Sequence, residues 1–413
     1  MKIAVWHNLP SGGGKRALYD HVRGLVARGH HLEAWCPPTA NREFLPLGDF
    51  IPEHTVDLAW PVPFRRSDEW QVTLRSGREH AALDDHCRRC AAQITSGGFD
   101  VLFANTCQFV RAAPIARYIA IPSVLYLQEP YRWLYEALPR LRWLAPPVAH
   151  GARPSLRALR RSFVDWRNIR NWRVQARDEV DSAAAFTRVL ANSYFSRESI
   201  LRAYGLESTV CYLGIDTSHF TDPGRQRENY VVGLGSCTPE KNVALVIEAV
   251  AAVQGTRPRL VWVGNMAVDG YRRAMMDLAA ARGVDLDLRI GVTDAELLDV
   301  LSRASAMVYA PRLEPFGLAP LEANACGVPV VAVLEGGVRE TIRDSVNGLL
   351  ADATPAALGR ALMLLRDDPA LARQLGDGGR RAVEESWSLE AATGRIERQL
   401  QEVAAMAPGP RQS

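Results

Sequence analysis

Short apolar runs alternate with helix-period segments from one end of the chain to the other, which predicts parallel strands with helices packed on both faces. In the first half the runs Ile3–Trp6, Leu32–Trp35, Val101–Ala104, Ser123–Leu127 and Val189–Ala191 are predicted as strands. Tyr230–Leu234, Leu260–Val263, Leu286–Ile290, Met307–Tyr309 and Val328–Val331 repeat the pattern in the second half. Two similar doubly wound α/β sheets in tandem follow. The stretch Asp216–Asn229 is polar and carries Pro223 and Gly224 ahead of a fresh buried run. Residues 1–215 are therefore expected as one domain, 216–228 as a linker and 229–388 as a second domain. A last helix, about 389–404, is open to packing on either.

Composition narrows the class without changing it. A chain of 413 residues suits two domains of about 200 residues each. A formal charge of +3 on a chain with 23% charged residues points to no nucleic-acid partner. Seven cysteines at irregular spacing do not form a disulfide framework, and a reducing cytoplasm is expected. Cys87-Arg-Arg-Cys90 is a lone pair without a redox context, so both are expected as ordinary helix and core cysteines. The opening Met1–His7 runs as a strand into a glycine loop rather than through a leader's apolar stretch. No run reaches the ~20 apolar residues of a membrane span, so the expected location is cytoplasmic or peripheral.

The densest chemistry lies between Tyr309 and Val331, which reads strand, loop, helix, strand. Gly317 lets the backbone approach a ligand closely, and a helix starting near Leu318 offers unpaired N–H groups and a positive dipole end. Glu314 on the loop and Glu322 about one turn inside the helix could straddle a diphosphate, one facing a sugar and the other accepting from ribose hydroxyls. The plainer alternative is a surface helix residue at 322 and a helix-start charge at 314.

Glu314 to Glu322 resembles the E-x7-E motif of the retaining nucleotide-sugar glycosyltransferases of the GT-B fold, family four or group 1. Gly336-Gly-Val-Arg-Glu340 and Asn347-Gly348-Leu-Leu resemble that family's next two signatures. The resemblance covers nearly the whole chain, strongly in the second domain and more loosely in the first. It implies two Rossmann-like domains facing a cleft, retention of anomeric configuration, and a nucleotide-diphosphate sugar as co-substrate with no other cofactor. Lys241, in Pro239-Glu-Lys241-Asn-Val, would meet the donor phosphates, and Glu314 would serve the reacting sugar. Ser236, Gly264, Ile290, Phe316, Gly317, Leu318 and Glu322 would complete the donor side, together with Gly13 and Gly14 of the glycine loop after the first strand. The acceptor is left as a carbohydrate, glycolipid or small molecule.

Two departures stand out. Many relatives carry an arginine five residues before the lysine, where this chain has Ser236. Tyr126-Leu-Gln128-Glu129-Pro130-Tyr-Arg132 resembles a segment of related mannosyltransferases that holds a histidine in place of Gln128. Gln128, Glu129 and Arg132 are thus acceptor-side candidates, although a glutamine cannot act as a general base. Asp285-Leu-Asp287 spells the metal pattern of the other main transferase fold, but it sits at a strand edge with no further ligands nearby, and no metal is expected. Arg28-Gly-His30 resembles a family turn and is expected to be structural. An epimerase or hydrolase on the same scaffold, or a non-catalytic sugar-nucleotide or membrane-binding relative, are the competing readings.

From Tyr131 to Arg177 the charge balance shifts, with eleven arginines against Glu136 and Asp165, interleaved with Trp133, Trp143, Trp166 and Trp172. Such a segment suits peripheral contact with an anionic membrane or a phosphorylated acceptor; the alternative is a long solvated helix whose tryptophans pack inward.

Overall fold

The computed structural model describes residues 1–59, 77–136 and 155–406. Arg140, Arg142, Trp143 and Arg153 of the arginine-rich segment lie outside the described residues, as does the Trp133 side chain. The chain divides into two compact units. The described residues of Met1–Asn192, Arg197–Cys211 and Arg395–Ser413 form the first, and Ser193–Ser196 with Tyr212–Gly394 form the second.

The first unit holds a seven-stranded sheet in the order β3-β2-β1-β4-β5-β6-β7, every neighbouring pair parallel. Its strands are β1 (Lys2–Asn8), β2 (His31–Cys36), β3 (Glu53–Thr55), β4 (Val101–Cys107), β5 (Ser123–Gln128), β6 (Arg188–Ala191) and β7 (Thr209–Val210). Ile3, Ala4, Val5 and Trp6 of β1 are all fully buried, because helices cover both faces of a parallel sheet. Helix α1 (Gly13–Ala27) turns Ala17, Leu18, His21, Val22 and Leu25 inward at helical spacing. Helix α2 (Gly77–Ser96) buries Cys87 and Cys90 as free thiols in the core.

The second unit repeats the plan with six parallel strands in the order β10-β9-β8-β11-β12-β13. These are β8 (Glu228–Leu234), β9 (Arg259–Gly264), β10 (Leu286–Ile290), β11 (Ala304–Tyr309), β12 (Val330–Val333) and β13 (Leu349–Ala351). Residues 216–228 lie inside this unit, where Phe220 is only 3% exposed. The predicted strand at Val328–Val331 starts two residues later, since Pro329 has no N–H to give the ladder. Three of the four edge strands, β3, β7 and β13, were not expected; at two or three residues each they carry no readable pattern.

The last helix, Leu389–Ala404, belongs to the first unit from Arg395 onward. Glu397 there holds Arg28 at 2.6 Å and His30 at 2.7 Å, and Glu402 holds Arg188 at 2.6 Å. The arginine-glycine-histidine turn therefore does structural duty.

Candidate functional site

In the second sheet the crossovers from β8 and β11 diverge between two adjacent strands, and the crevice beyond their carboxyl ends is where such a sheet takes a ligand. Lys241 follows β8 and Glu314 follows β11. Lys241 Nζ lies 2.7 Å from Glu314 Oε2, and both side chains are mostly covered, at 27% and 17% exposure. The two residues assigned the chemistry are thus ion-paired.

The Glu314 loop is fixed from several sides. Leu313 takes a left-handed φ of 46°, and the Gly337 N–H donates to the Glu314 carbonyl at 2.7 Å. A Cβ on Gly336, itself at φ +64°, would come within 2.4 Å of that carbonyl oxygen. Ser193 donates its hydroxyl to the Pro315 carbonyl at 2.5 Å, and Glu340 accepts from the Tyr194 and Phe195 N–H groups and the Tyr212 hydroxyl. The Phe316 ring is 2% exposed and packs on Tyr212 and Trp387, so this residue anchors the loop and leaves only its backbone for a ligand. The two later family signatures act as the frame of the loop, with Asn347 tied to Thr341 and Arg343.

Helix α9 (Leu318–Ala325) starts after Gly317, whose φ is +93°, and no side chain caps its N-terminus. Glu322 is 6% exposed inside this helix, which removes the surface-residue reading. Tyr309, at the end of β11, senses both acids: burial, then the charge of Glu314 and a hydrogen bond to it, then the charge of Glu322, push its hydroxyl well above the ordinary phenol value. Tyr309 was part of the recognised stretch but carried no assignment, because a strand-end tyrosine gives no sequence signal of a carboxylate neighbour.

The other strand ends close around Lys241. Gly235, at φ +146°, lets the lysine stem pass so closely that a Cβ there would lie 3.3 Å from its Cδ. Trp262 Nε1 donates to the Gly235 carbonyl at 2.8 Å, and a Cβ on Gly264 would come within 2.6 Å of the same oxygen. Ser236 donates to Asn265 Oδ1 at 2.7 Å, and half-buried Ile290 pairs in register with Gly264. Lys241 itself ends a short 3-10 turn, after which Asn242 at φ 54° opens helix α6 (Val243–Ala251) without a side-chain cap.

In the first unit, Gly12 takes φ 137° as N-cap of α1, and Gly13 and Gly14 are its first two residues. Gln128 sits at φ 64° with its side chain 3.6 Å from the Cβ position of Gly14, and its buried Nε2 has no hydrogen-bond partner. A donor-side and an acceptor-side candidate from distant parts of the sequence thus meet. Glu129 and Arg132 are engaged locally, Glu129 with Arg111 at 3.1 Å and Arg132 with Glu136 at 2.7 Å.

Residues 215–382 match the family model described as Glycosyl transferases group 1.

The second unit is therefore similar to the group 1 glycosyltransferases.

It is 32% identical over 261 residues to the D-inositol 3-phosphate glycosyltransferase of Salinispora arenicola, covering 56% of this chain and 58% of that protein. A GDP-mannose-dependent alpha-(1-6)-phosphatidylinositol monomannoside mannosyltransferase of Mycolicibacterium smegmatis is 29% identical, with 49% and 59% covered. The chain spans a little over half the length of these curated relatives. The crystal structure of Anabaena HepE in complex with UDP and glucose superposes with a TM-score of 0.70 at 18% identity, covering 97% of this chain and all of that one. At that identity the likeness is one of fold, and the fold is GT-B.

Against the group 1 background, the metal question turns on two places. Asp287 is paired with Arg289 at 2.8 Å on β10. Among the described residues the one cluster with metal-ligand chemistry is His7, Cys36 and Glu53, at the carboxyl ends of β1 and β2 and the start of β3. It already contains its own cations. Burial pushes the Glu53 carboxyl up, yet the His7 hydrogen bond and the charges of His7, Lys15 and Arg42 leave it below the usual range. Lys15 Nζ is buried there without a hydrogen bond. A lysine in a glycine loop signals phosphate contact by sequence, and nothing local told of its burial beside Glu53.

Proposed function

We propose that the chain transfers a sugar, with retention and without a metal, from a nucleotide-diphosphate donor to a carbohydrate, lipid-linked or small-molecule acceptor. The observation that carries the reading is the Lys241–Glu314 pair beside the uncapped start of α9. A cation for a leaving diphosphate and a carboxylate for the sugar stand side by side where fixed N–H groups add to anion binding. As the bond from the anomeric carbon to the diphosphate breaks, Lys241 and the Gly317–Leu318 amides take up the leaving charge, while Glu314 orients the sugar hydroxyls and offsets positive charge at that carbon. Glu322 anchors the ribose. Within the first domain, Gln128 serves the acceptor beside the glycine loop of Gly13 and Gly14.

The names of the relatives support the donor class, since one uses GDP-mannose and the fold neighbour holds UDP and glucose. They also suggest a phosphorylated or lipid-borne polyol as acceptor. The arginine and tryptophan content of 131–177 supports a cytoplasmic protein working peripherally at an inner membrane face through part of that segment. No described helix is long and apolar enough to cross a membrane.

The test is a thermal-shift screen of nucleotide sugars followed by transfer assays with the donor it selects. A true donor at 100 times its Kd stabilises by about 2.7 kcal/mol. Transfer that survives Glu314→Ala, or that stops with EDTA and returns with a divalent cation, would overturn the mechanism. Donor consumed with no acceptor product would favour the epimerase or hydrolase reading instead.

A further inference from the structure

Helix α4 (Leu156–Ala184) packs through one half and stands free through the other. Its second half turns Trp172, Gln175, Glu179, Ser182 and Ala183 inward, and Trp172 closes a small cluster with Tyr131 and Leu134. In its first half Leu156 is 86% exposed, Leu159 53%, Phe163 60% and Trp166 56%. Spaced i, i+3, i+7 and i+10, these four side chains form one stripe, and at about 100° of turn per residue it lies roughly opposite the packed face. An apolar stripe aimed away from its own domain has no role in the core.

The charge around it says what covers it. Exposed Arg160 and Arg167 border one side of the stripe, Arg173 borders the other, and Arg170 continues it, its guanidinium 6.0 Å from the Trp166 ring. Between Leu156 and Arg177 the sole acid is Asp165, which falls on the opposite side of the helix. From Leu156 to Trp166 the stripe is about 15 Å long, half the ~30 Å of a hydrocarbon core. That geometry fits a helix lying in the interface rather than spanning it, with apolar side chains below the headgroups and arginines on their phosphates.

We propose that Leu156, Leu159, Phe163 and Trp166 insert into an anionic bilayer surface, with Arg160, Arg167, Arg170 and Arg173 holding its headgroups. This narrows the expected contact from residues 131–177 to the first half of α4 and excludes Trp172, whose ring is spent inside the domain. The inference rests on α4 alone and not on the donor site.

The test is flotation of the full chain with vesicles of phosphatidylcholine, alone or mixed with phosphatidylglycerol. The chain is expected to float with the mixed vesicles, less so as salt rises, and to stay in solution with phosphatidylcholine alone. Phe163→Ser with Trp166→Ser is expected to abolish flotation while circular dichroism and the melting temperature stay unchanged, since both rings are exposed. Arg160→Gln, Arg167→Gln and Arg170→Gln together are expected to lower partitioning by about 100-fold, at roughly 1 kcal/mol per arginine. Glu314→Ala is expected to float normally, which separates this surface from the donor site. Wild-type protein that ignores phosphatidylglycerol, or a serine variant that floats like wild type, would overturn the proposal. So would a wild-type dimer that the serine variant turns into a monomer, because that result gives the face to a second copy.

Discussion

Lys241 Nζ and Glu314 Oε2 stand 2.7 Å apart, so the residue assigned to the donor phosphates and the residue assigned to the sugar hold each other before any ligand does. A partly covered pair of this kind adds at most about 1 kcal/mol to the fold, so its use must be sought in the reaction. In the proposed reaction a donor would divide the pair, drawing the ammonium toward the diphosphate and leaving the carboxylate on the sugar. Lys241→Ala and Glu314→Ala are each expected to lower kcat/KM about 10²- to 10³-fold with little change in melting temperature. In the double variant the losses should fall short of additive, because the two side chains are in direct contact. Additive losses, or melting temperatures that fall with activity, would make the pair a structural clasp.

That pairing was not legible in the sequence, although each partner was. Glu314, Glu322 and Gly317 stand within nine residues of one another, so their joint placement on one loop and helix start follows from helical rise alone. Lys241 lies 73 positions before Glu314, and only the strand order that sets β8 beside β11 brings them together. The long buried strands could be read because a strand covered on both faces must be apolar throughout. The edge strands β3, β7 and β13 could not, since Glu53-His54-Thr55 and its counterparts are set by pairing with a neighbour and not by their own pattern. The packing of Phe316 was not legible either: its ring is buried against Tyr212 and Trp387, which leaves its backbone for a ligand.

The glycine pair behind the Glu314 loop gives a second prediction. A methyl group on Gly336 would overlap both the Glu314 carbonyl oxygen at 2.4 Å and its amide nitrogen at 2.7 Å, and φ +64° disfavours any Cβ. Gly336→Ala should therefore displace the Glu314 carboxylate and destabilise the fold by roughly 1–3 kcal/mol. Gly270→Ala is the control, since a Cβ there meets nothing within 4 Å. Enzyme assays beside denaturant melts should show activity lost only in the first variant.

Gln128 offers the opposite combination. Its φ of 64° is strained for a side chain, and its buried Nε2 lacks a partner. Gln128→Gly removes both liabilities and should stabilise the first domain by about 1 kcal/mol. If the amide serves the acceptor beside Gly14, the same change should raise the acceptor KM while the donor KM stays fixed. A more stable variant with unaltered acceptor kinetics would reduce Gln128 to a strained turn.

His21 sets a pH limit on the same domain. Burial, reinforced by the charge of Arg395, lowers its pKa to about 4 from an ordinary 6.5, and neither ring nitrogen has a hydrogen-bond partner. The folded state therefore holds the neutral ring while the unfolded chain takes up a proton below pH ~6.5. Stability from this group is complete above pH ~6.5, declines as the pH falls toward 4, and levels off below that. The loss is on the order of 3 kcal/mol. His7 and His86 are also lowered by burial, so they add to the slope in the same direction. His21→Phe forfeits no hydrogen bond and keeps an edge-on ring against Phe103 and Tyr126. Denaturant melts at pH 7 and pH 4.5 should show a smaller acid loss in the variant than in the wild type. Equal losses would mean that the ring gains a proton without unfolding, and that the acid sensitivity of this domain lies with His7 and Glu53.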